Sequence, residues 1–218
     1  MLKSIFSKPT VLILFLFSVN TNAMAQRSTL KRFMQLHYPE KIWIICHPFS
    51  AKKALQTGLH ARDVGLQKIK DPDLDGDYNG GQVDAFRHGY WMALLTQETG
   101  AFSARWLGKA HEKSNYLDFK HKVLEEGSLP DYTACEMDLK NNEQGIKIAQ
   151  ENPGISKKET EALVKEKILE GEFFIIKKNT EGEFINSSGE KIPKERYLGL
   201  WHNPKTLVPS NYKRPEAK

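Results

Sequence analysis

The segment from Val83 to Thr99 constrains the fold most, because small and apolar side chains surround nearly all of its predicted helix. They are Ala85, Phe86, Gly89, Tyr90, Met92, Ala93 and Leu94. A helix that is apolar on every side must be enclosed by other elements. We therefore expect this helix at the centre of a helical bundle, in a mainly α fold with a small C-terminal β-hairpin appendage.

Polar residues interrupt this central helix along one stripe. Asp84, Arg87 and His88 stand at intervals of three and four residues, so they share a face of the helix. For Asp84 alone, a role as the N-cap of the helix explains the residue equally well. A carboxylate, a guanidinium and an imidazole on a face that must be buried need partners there.

Two more predicted helices also direct polar groups inward. The helix over residues 101–114 places His111 on the same face as its apolar residues, and Glu112 follows directly. A third helix has Asp138, Asn141 and Asn142 on a stripe between small residues. Because buried polar groups are nearly always satisfied, the three clusters either satisfy one another or converge on a metal ion or a substrate.

The metal hypothesis gives each of these residues a role. The expected ligands of a divalent metal, zinc or manganese, are Asp84, His88, His111 and Asp138. Two imidazoles and a carboxylate form a normal set of zinc ligands, and they leave one coordination position open for water. A metal-bound water is a nucleophile, so the hypothesis predicts a metal-dependent hydrolase that acts on a phosphoester or lipid-like substrate. The catalytic candidates are Glu112 as general base, Arg87 facing an anionic transition state, and Asn142 as the orienting group.

The competing hypothesis is a non-catalytic binding or structural module. In it, Asp84 or Glu112 pairs with Arg87, the two imidazoles donate to carboxylates, and the Asn141–Asn142 pair ties the third helix down. A buried polar network of this kind can specify a unique core without any chemistry. Replacing His111 by Ala separates the two hypotheses, because only the first predicts lost metal with intact folding.

The three clusters resemble the shared pattern of a family of uncharacterised bacterial proteins: D-A-F-R-H-x-x-W, then H-E, then M-D-x-x-N-N-x-x-G. The elements stand at Asp84–Trp91, His111–Glu112 and Met137–Gly145, and the resemblance covers Ala54–Ala149. Gly89 and Met92 depart from the commoner Ala and Asn. The resemblance implies a mainly helical domain of unknown function, found in secreted proteins and at the ends of large surface or toxin-like proteins. A toxin-like secreted effector is therefore a third alternative.

Residues 1–25 have the composition of a signal peptide. Two lysines precede a short apolar run from Val11 to Val19, and Ala23-Met24-Ala25 matches the small-x-small cleavage pattern. A membrane-spanning helix needs about 20 apolar residues, so we expect no membrane span after cleavage. The mature protein is expected to be exported, either periplasmic or secreted.

Removal of a signal peptide changes the net charge of the protein, and export determines whether its two cysteines meet an oxidising compartment. Without the two lysines of the signal peptide, the formal charge falls from +5 to +3. Most remaining lysines are mixed with glutamates, which gives no strong nucleic-acid signal. Cys46 and Cys135 could pair in an oxidising compartment, or remain thiols, because free cysteine is among the most buried residue types.

The loop that precedes the central helix is acidic and rich in glycine. Asp71, Asp73 and Asp75, with Gly76, resemble the start of a calcium-binding loop of the EF-hand type. The twelfth position, where a bidentate Glu is required, is Gln82. Calcium binding therefore competes with the simpler interpretation of an acidic turn, which we favour.

The chain divides into two predicted domains. Residues 26–155 form the helical domain with the polar motifs, and residues 156–218 form the C-terminal region. The C-terminal region is predicted to contain three parts. They are a charged helix that starts with a Ser156–Glu159 capping box and ends near Glu170, a hairpin of residues 173–176 and 183–185 around the turn 179–182, and a loose tail over 204–218.

Overall fold

The computed structural model describes residues 31–124 and 127–216. Two compact units are distinguished, Met1–Leu36 and His37–Lys218. Of the first unit, residues 31–36 are described, and residues 31–35 are helical. The predicted signal peptide, residues 1–25, lies outside the described residues. All the elements that build the site belong to the second unit.

The second unit consists mainly of helices, as the sequence predicts. The helices are α1 (Tyr38–Cys46), α2 (Ala51–Lys68), α3 (Gln82–Thr99), α4 (Ala101–His121), α5 (Tyr132–Glu151) and α6 (Lys157–Glu170). Two short strands, β1 (Phe174–Ile176) and β2 (Leu207–Pro209), pair antiparallel near the C-terminus. Within residues 31–124 and 127–216, no helix combines the length and the apolar character needed to cross a membrane.

Helix α3 is the central helix, because it supplies side chains to both hydrophobic clusters of the unit. Phe86, Tyr90 and Leu94 of α3 pack with residues of α2, α6 and β1 in one cluster. Met92 and Leu95 pack with residues of α1, α4 and α5 in the other. Twelve of its residues are buried. The prediction of an enclosed helix at this position is confirmed.

Helices α3 and α5 approach each other closely at two glycines. A Cβ at Gly145 of α5 would overlap the carbonyl oxygen of Gly89 on α3. At Gly89, a Cβ would overlap the ring of Phe173. The crossing brings His88, which precedes Gly89, and Asn142, which precedes Gly145 by three residues, to the same interface.

Helix α4 is longer than predicted. The sequence predicted a helix that ends at residue 114, but α4 continues to His121 and ends where Lys122 takes a left-handed conformation (φ 58°). The additional turns are held by aromatic contacts, because Tyr116 and Phe119 pack on Trp201 with ring centroids 4.7 and 5.2 Å away. Trp201 is distant in sequence, so the local pattern gave no sign of this support.

The C-terminal region differs from its prediction in the pairing of its strands. Strand β1 pairs with Leu207–Pro209 of the tail, in the register Phe174–Pro209, Ile175–Val208 and Ile176–Leu207. The expected partner, residues 183–185, forms only isolated bridges, Lys178–Phe184 and Ile185–Lys191. The turn at residues 179–182 does form, with the Asn179 side chain accepting from the backbone of Glu181 and Glu183. The predicted loose tail is therefore wrong over β2.

The predicted capping box at the start of α6 is confirmed. Ser156 and Glu159 form the capping box of α6, in which the Ser156 N–H donates to Glu159 Oε2 (2.8 Å) and the Glu159 N–H donates to Ser156 Oγ (3.3 Å). Cys46 is exposed and Cys135 is buried, and both are thiols rather than a disulfide pair. The domain boundary at residue 155 stays a prediction.

The acidic loop is neutralised by side chains of the C-terminal region. Lys165 Nζ lies 2.7 Å from both Asp71 Oδ1 and Asp73 Oδ2. Arg214 lies 2.6 Å from Asp75 and 2.8 Å from Asp77. Cationic side chains thus occupy the carboxylates that the calcium interpretation requires. The arrangement gives no support for calcium at Asp71, Asp73 and Asp75.

These ion pairs make the free energy of unfolding depend on pH in the acidic range. Partial burial raises the pKa of Asp77, but the opposing effects of Lys178 and Arg214 are larger, and the pKa lies below its ordinary value. A lowered pKa in the folded state stabilises the protein above the unfolded pKa of about 4, and the contribution is lost as the pH falls through the folded value. We expect Asp77→Asn to lower the free energy of unfolding by about 2 kcal/mol at pH 7.

Urea denaturation at a series of pH values measures this effect. The difference between wild type and Asp77→Asn should shrink as the pH falls below about 4. Asp63→Asn, on the exposed face of α2, is the matched control and should leave the stability unchanged at every pH. A difference for Asp77→Asn that stays constant from pH 7 to pH 2 would contradict the electrostatic explanation.

Candidate metal centre

Three buried side chains from two helices converge at the crossing of α3 and α5. Asp84 and His88 lie one turn apart on α3, and Asp138 faces them from α5. One ligand atom from each lies within 4.8 Å of the other two. His88 Nε2 is 3.3 Å from Asp138 Oδ1 and 3.6 Å from Asp84 Oδ1. In the part of the chain that the structure describes, this is the one group of His, Cys, Asp and Glu residues with metal-ligand spacing.

The carboxylate of Asp84 is held from both sides. Its Oδ2 accepts from the Gly80 N–H at 2.8 Å, and its Oδ1 accepts from Arg87 at 2.6 Å. Arg87 is in turn supported by Tyr78, whose ring centroid lies 5.3 Å from the guanidinium. Helix α3 begins at Gln82 with Gly81 as its N-cap. Asp84 therefore lies inside the first turn, and the N-cap explanation for this residue is wrong.

His88 is buried and is held by Asn142. Burial and, secondarily, the nearby Arg87 and His111 lower the pKa of His88 well below its ordinary value, although the Asn142 contact opposes this. The imidazole is therefore neutral at pH 7. Its Nδ1 donates to Asn142 Oδ1 at 3.3 Å, which leaves the lone pair of a neutral ring on Nε2.

The Nε2 atom of His88 has an unusual environment. It is buried without a hydrogen-bond partner, yet the oxygens of Asp84 and Asp138 lie 3.6 and 3.3 Å away. A lone pair that faces two carboxylate oxygens is repelled by both unless a cation lies between them. A neutral imidazole and carboxylates are also the protonation states in which these groups bind metals.

His111 lies outside this group of three. Its Nδ1 donates to Glu40 Oε1 of α1 at 3.2 Å, and Glu40 Oε2 accepts from Ser114 Oγ at 3.0 Å. His111 also packs edge-on against Trp91, with ring centroids 5.5 Å apart. It is close enough for its charge to lower the pKa of His88. His111 is therefore a neighbour of the candidate centre, paired with a carboxylate that the sequence analysis did not single out.

Glu112 and Asn141 have partners of their own. Glu112 is buried, and its Oε2 accepts from Asn115 Nδ2 at 3.1 Å. Asn141 forms two hydrogen bonds with the backbone of Phe174, one as donor and one as acceptor, both 2.9 Å long. Asn141 thus fastens β1 to α5, which is the structural role that the competing hypothesis gave to the asparagine pair. Asn142, next to it, faces His88 instead.

Glu40 is the residue near the centre that sequence reasoning missed. A single glutamate in the first turn of a helix is explained by the helix dipole, so nothing in the local pattern indicated a further role. Its two partners, His111 and Ser114, are more than 70 residues away in the chain.

Comparison with known proteins gives a family but no activity. Neither the curated proteins nor the solved structures include a match to this chain. One family model matches residues 41–172, which is more than half of the 218 residues and includes Asp84, His88 and Asp138. The chain belongs to the family described as Domain of unknown function (DUF6973).

Proposed function

We propose that Asp84, His88 and Asp138 bind a divalent metal ion. The observation that carries the proposal is the buried, unpartnered Nε2 of His88 between two carboxylates. Ligand atoms about 2.1 Å from a tetrahedral metal are about 3.4 Å apart. The Nε2–Oδ1 distances of 3.3 and 3.6 Å lie close to this value. The third distance, between the ligand oxygens of Asp84 and Asp138, is no more than 4.8 Å.

The donor set favours zinc or manganese. One imidazole nitrogen and two carboxylate oxygens form a mixed set, which both of these ions accept. Because the pKa of His88 is low, protons do not compete with the metal at neutral pH. Asn142 fixes the ring so that Nε2 faces the carboxylates, as the outer partners of metal-binding histidines commonly do.

We further propose that the metal activates water for hydrolysis. Three protein ligands leave at least one coordination position open, and a metal at such a site lowers the pKa of its water towards about 7. Asp84 and Asp138 keep 9% and 10% of their side-chain surface exposed, which leaves a route for water. His111, paired with Glu40, and Glu112 are the two candidates for proton transfer.

The charge of the centre favours an anionic substrate. Arg87 offsets one of the two carboxylates, so a bound divalent cation leaves an excess of one positive charge. A phosphoester, including one on a lipid-like molecule, is the substrate class that this charge attracts. Residues 1–25 have the signal-peptide pattern, and on that ground we propose that the protein acts after export, in the periplasm or outside the cell.

Metal analysis by inductively coupled plasma mass spectrometry tests the proposal directly. We expect about one equivalent of zinc or manganese in protein purified without chelator, and none after dialysis against chelator. Binding should be restored by adding either ion. Protein that holds no metal even in excess divalent ion would overturn the proposal and favour the non-catalytic module, in which Asp84, Arg87 and Asn141 serve only to hold the core.

A further inference from the structure

A second candidate site lies in an open groove beside α4 and α5. The groove has a volume of about 410 Å³, which is within the usual range for sites that bind one small molecule. Its wall includes the aromatic side chains of Tyr116, Tyr132 and Trp201 and the apolar side chain of Leu139. None of the three proposed metal ligands lines it.

The aromatic wall is held in place by the tail of the chain. The ring centroids of Tyr116 and Trp201 are 4.7 Å apart, and those of Tyr132 and Trp201 are 6.5 Å apart. The Tyr132 N–H donates to the Trp201 carbonyl oxygen at 2.8 Å, which fixes the two segments to each other. The wall therefore offers a preformed apolar surface rather than a set of independent side chains.

Two exposed lysines stand at the edge of this apolar surface. Lys109 and Lys113 line the groove, and throughout residues 31–124 and 127–216 no carboxylate lies within ion-pair distance of either. Lys113 Nζ is 5.2 Å from the centre of the Tyr116 ring, and Lys120 Nζ is 4.6 Å from it on the same helix. Positive charge therefore borders the aromatic wall.

The two acids in the groove form no ion pair with these lysines among the described residues. Glu136 lies 3.5 Å from Lys140, and the buried Glu112 accepts from Asn115 at 3.1 Å. An anion at the groove can thus approach Lys109 and Lys113 without displacing an internal ion pair. A wholly polar anion would leave the aromatic wall uncovered, whereas a molecule with an apolar chain covers it.

We infer that the groove binds a single anionic amphiphile, such as an alkyl phosphate or a fatty acid, as a monomer. The alkyl chain lies along Tyr116, Tyr132 and Trp201, and the anionic head contacts Lys109 and Lys113. The inference does not require the proposed metal and stands independently of the proposed hydrolase, because none of the three proposed ligands lines the groove. A groove of about 410 Å³ fits one molecule rather than a bilayer surface.

Isothermal titration with dodecyl phosphate, kept below its micelle concentration and with chelator present, tests the inference. We expect saturable binding with one site, weakened at least about tenfold by Lys109→Glu/Lys113→Glu, since two charge contacts are lost. The matched control, Lys52→Glu/Lys158→Glu, makes the same charge change at exposed lysines outside the groove and should bind as wild type does. Lys109→Gln/Lys113→Gln adds no negative charge, so its affinity for dodecyl phosphate should lie between that of wild type and that of Lys109→Glu/Lys113→Glu.

Several results would overturn the inference. The first two are the absence of dodecyl phosphate binding, and an equal loss of affinity in Lys109→Glu/Lys113→Glu and in the control Lys52→Glu/Lys158→Glu. The other two are binding of dodecyltrimethylammonium, or of inorganic phosphate, as strong as that of dodecyl phosphate. Binding to vesicles of anionic phospholipid without binding to the monomer would assign the groove to a membrane surface instead. Because the titration contains chelator, and because His88→Ala should bind dodecyl phosphate normally, failure here is distinguishable from failure of the metal proposal.

Discussion

A His88→Ala variant is expected to bind zinc or manganese more than about 100-fold more weakly than the wild-type protein. Loss of an outer partner of a metal ligand already costs up to about 100-fold, and His88 supplies the proposed nitrogen ligand itself. Competition with a chromogenic chelator measures the affinity. His60→Ala is the control, because this partly buried histidine contacts the Tyr90 hydroxyl, away from the group of three.

A second variant separates a metal site from a purely structural network. Asp138→Asn preserves the shape of the side chain but removes one of the two charges that face His88 Nε2. In metal-free protein, we expect its free energy of unfolding to equal or exceed that of wild type, because a repulsion is relieved and the new amide can donate to Nε2. With metal present, the wild type should be the more stable of the two. Destabilisation in the absence of metal would favour the structural network.

Gly145→Ala is expected to lower the free energy of unfolding by about 3 kcal/mol, the upper end of the usual cost of overpacking. The added Cβ would overlap the carbonyl oxygen of Gly89, and a backbone atom cannot move aside as the end of a flexible side chain can. Helices α3 and α5 would have to separate, which would also draw Asp138 away from His88. Urea denaturation measures the stability, and chelator competition measures the accompanying loss of metal affinity.

Gly58→Ala is the control for this prediction. Gly58 is also within a helix, but a Cβ there would lie 3.4 Å from Trp91 Nε1, which is nearly ordinary contact. Because Ala favours a helix over Gly by about 1 kcal/mol, Gly58→Ala should be neutral or stabilising. Equal effects of the two substitutions would show that helix propensity alone determines the change in the free energy of unfolding, and that the close crossing at Gly145 does not contribute to it.

Local patterns were enough to predict the helical class and the central position of α3. Its apolar residues cover most of the circumference, and the structure buries them in two separate clusters. The capping box of α6 was predicted for the same reason, since Ser156 and Glu159 satisfy each other within one turn. Both features depend on residues that are close together in the chain.

Features that depend on distant residues were not predictable in this way. The pairing of β1 with β2, the support of α4 by Trp201 and the ion pairs of Arg214 each join segments that are far apart in sequence. A stretch rich in proline and lysine has the composition of a loose tail, but its pairing with β1 and its charge partners in the acidic loop fix its position.

The candidate centre was predictable in part, because some of its residues are close together in the chain. The spacing of Asp84 and His88 on one helix, and of Asp138 and Asn142 on another, follows from helix periodicity. That these two pairs meet depends on the close approach of Gly89 and Gly145. His111 was predicted to be a ligand, but its pairing with Glu40 joins residues that are far apart in the chain and was not predictable from a local pattern.

The position of α3 between both hydrophobic clusters also governs how the centre behaves over time. Any motion that releases α3 must open both clusters at once, so such an opening approaches complete unfolding of the unit in its free-energy cost. Asp84 and His88 therefore belong to the element least able to fluctuate on its own. The candidate centre is therefore preorganised by the most cooperative part of the fold, and an ion bound there would be selected by fixed geometry rather than by rearrangement of its ligands.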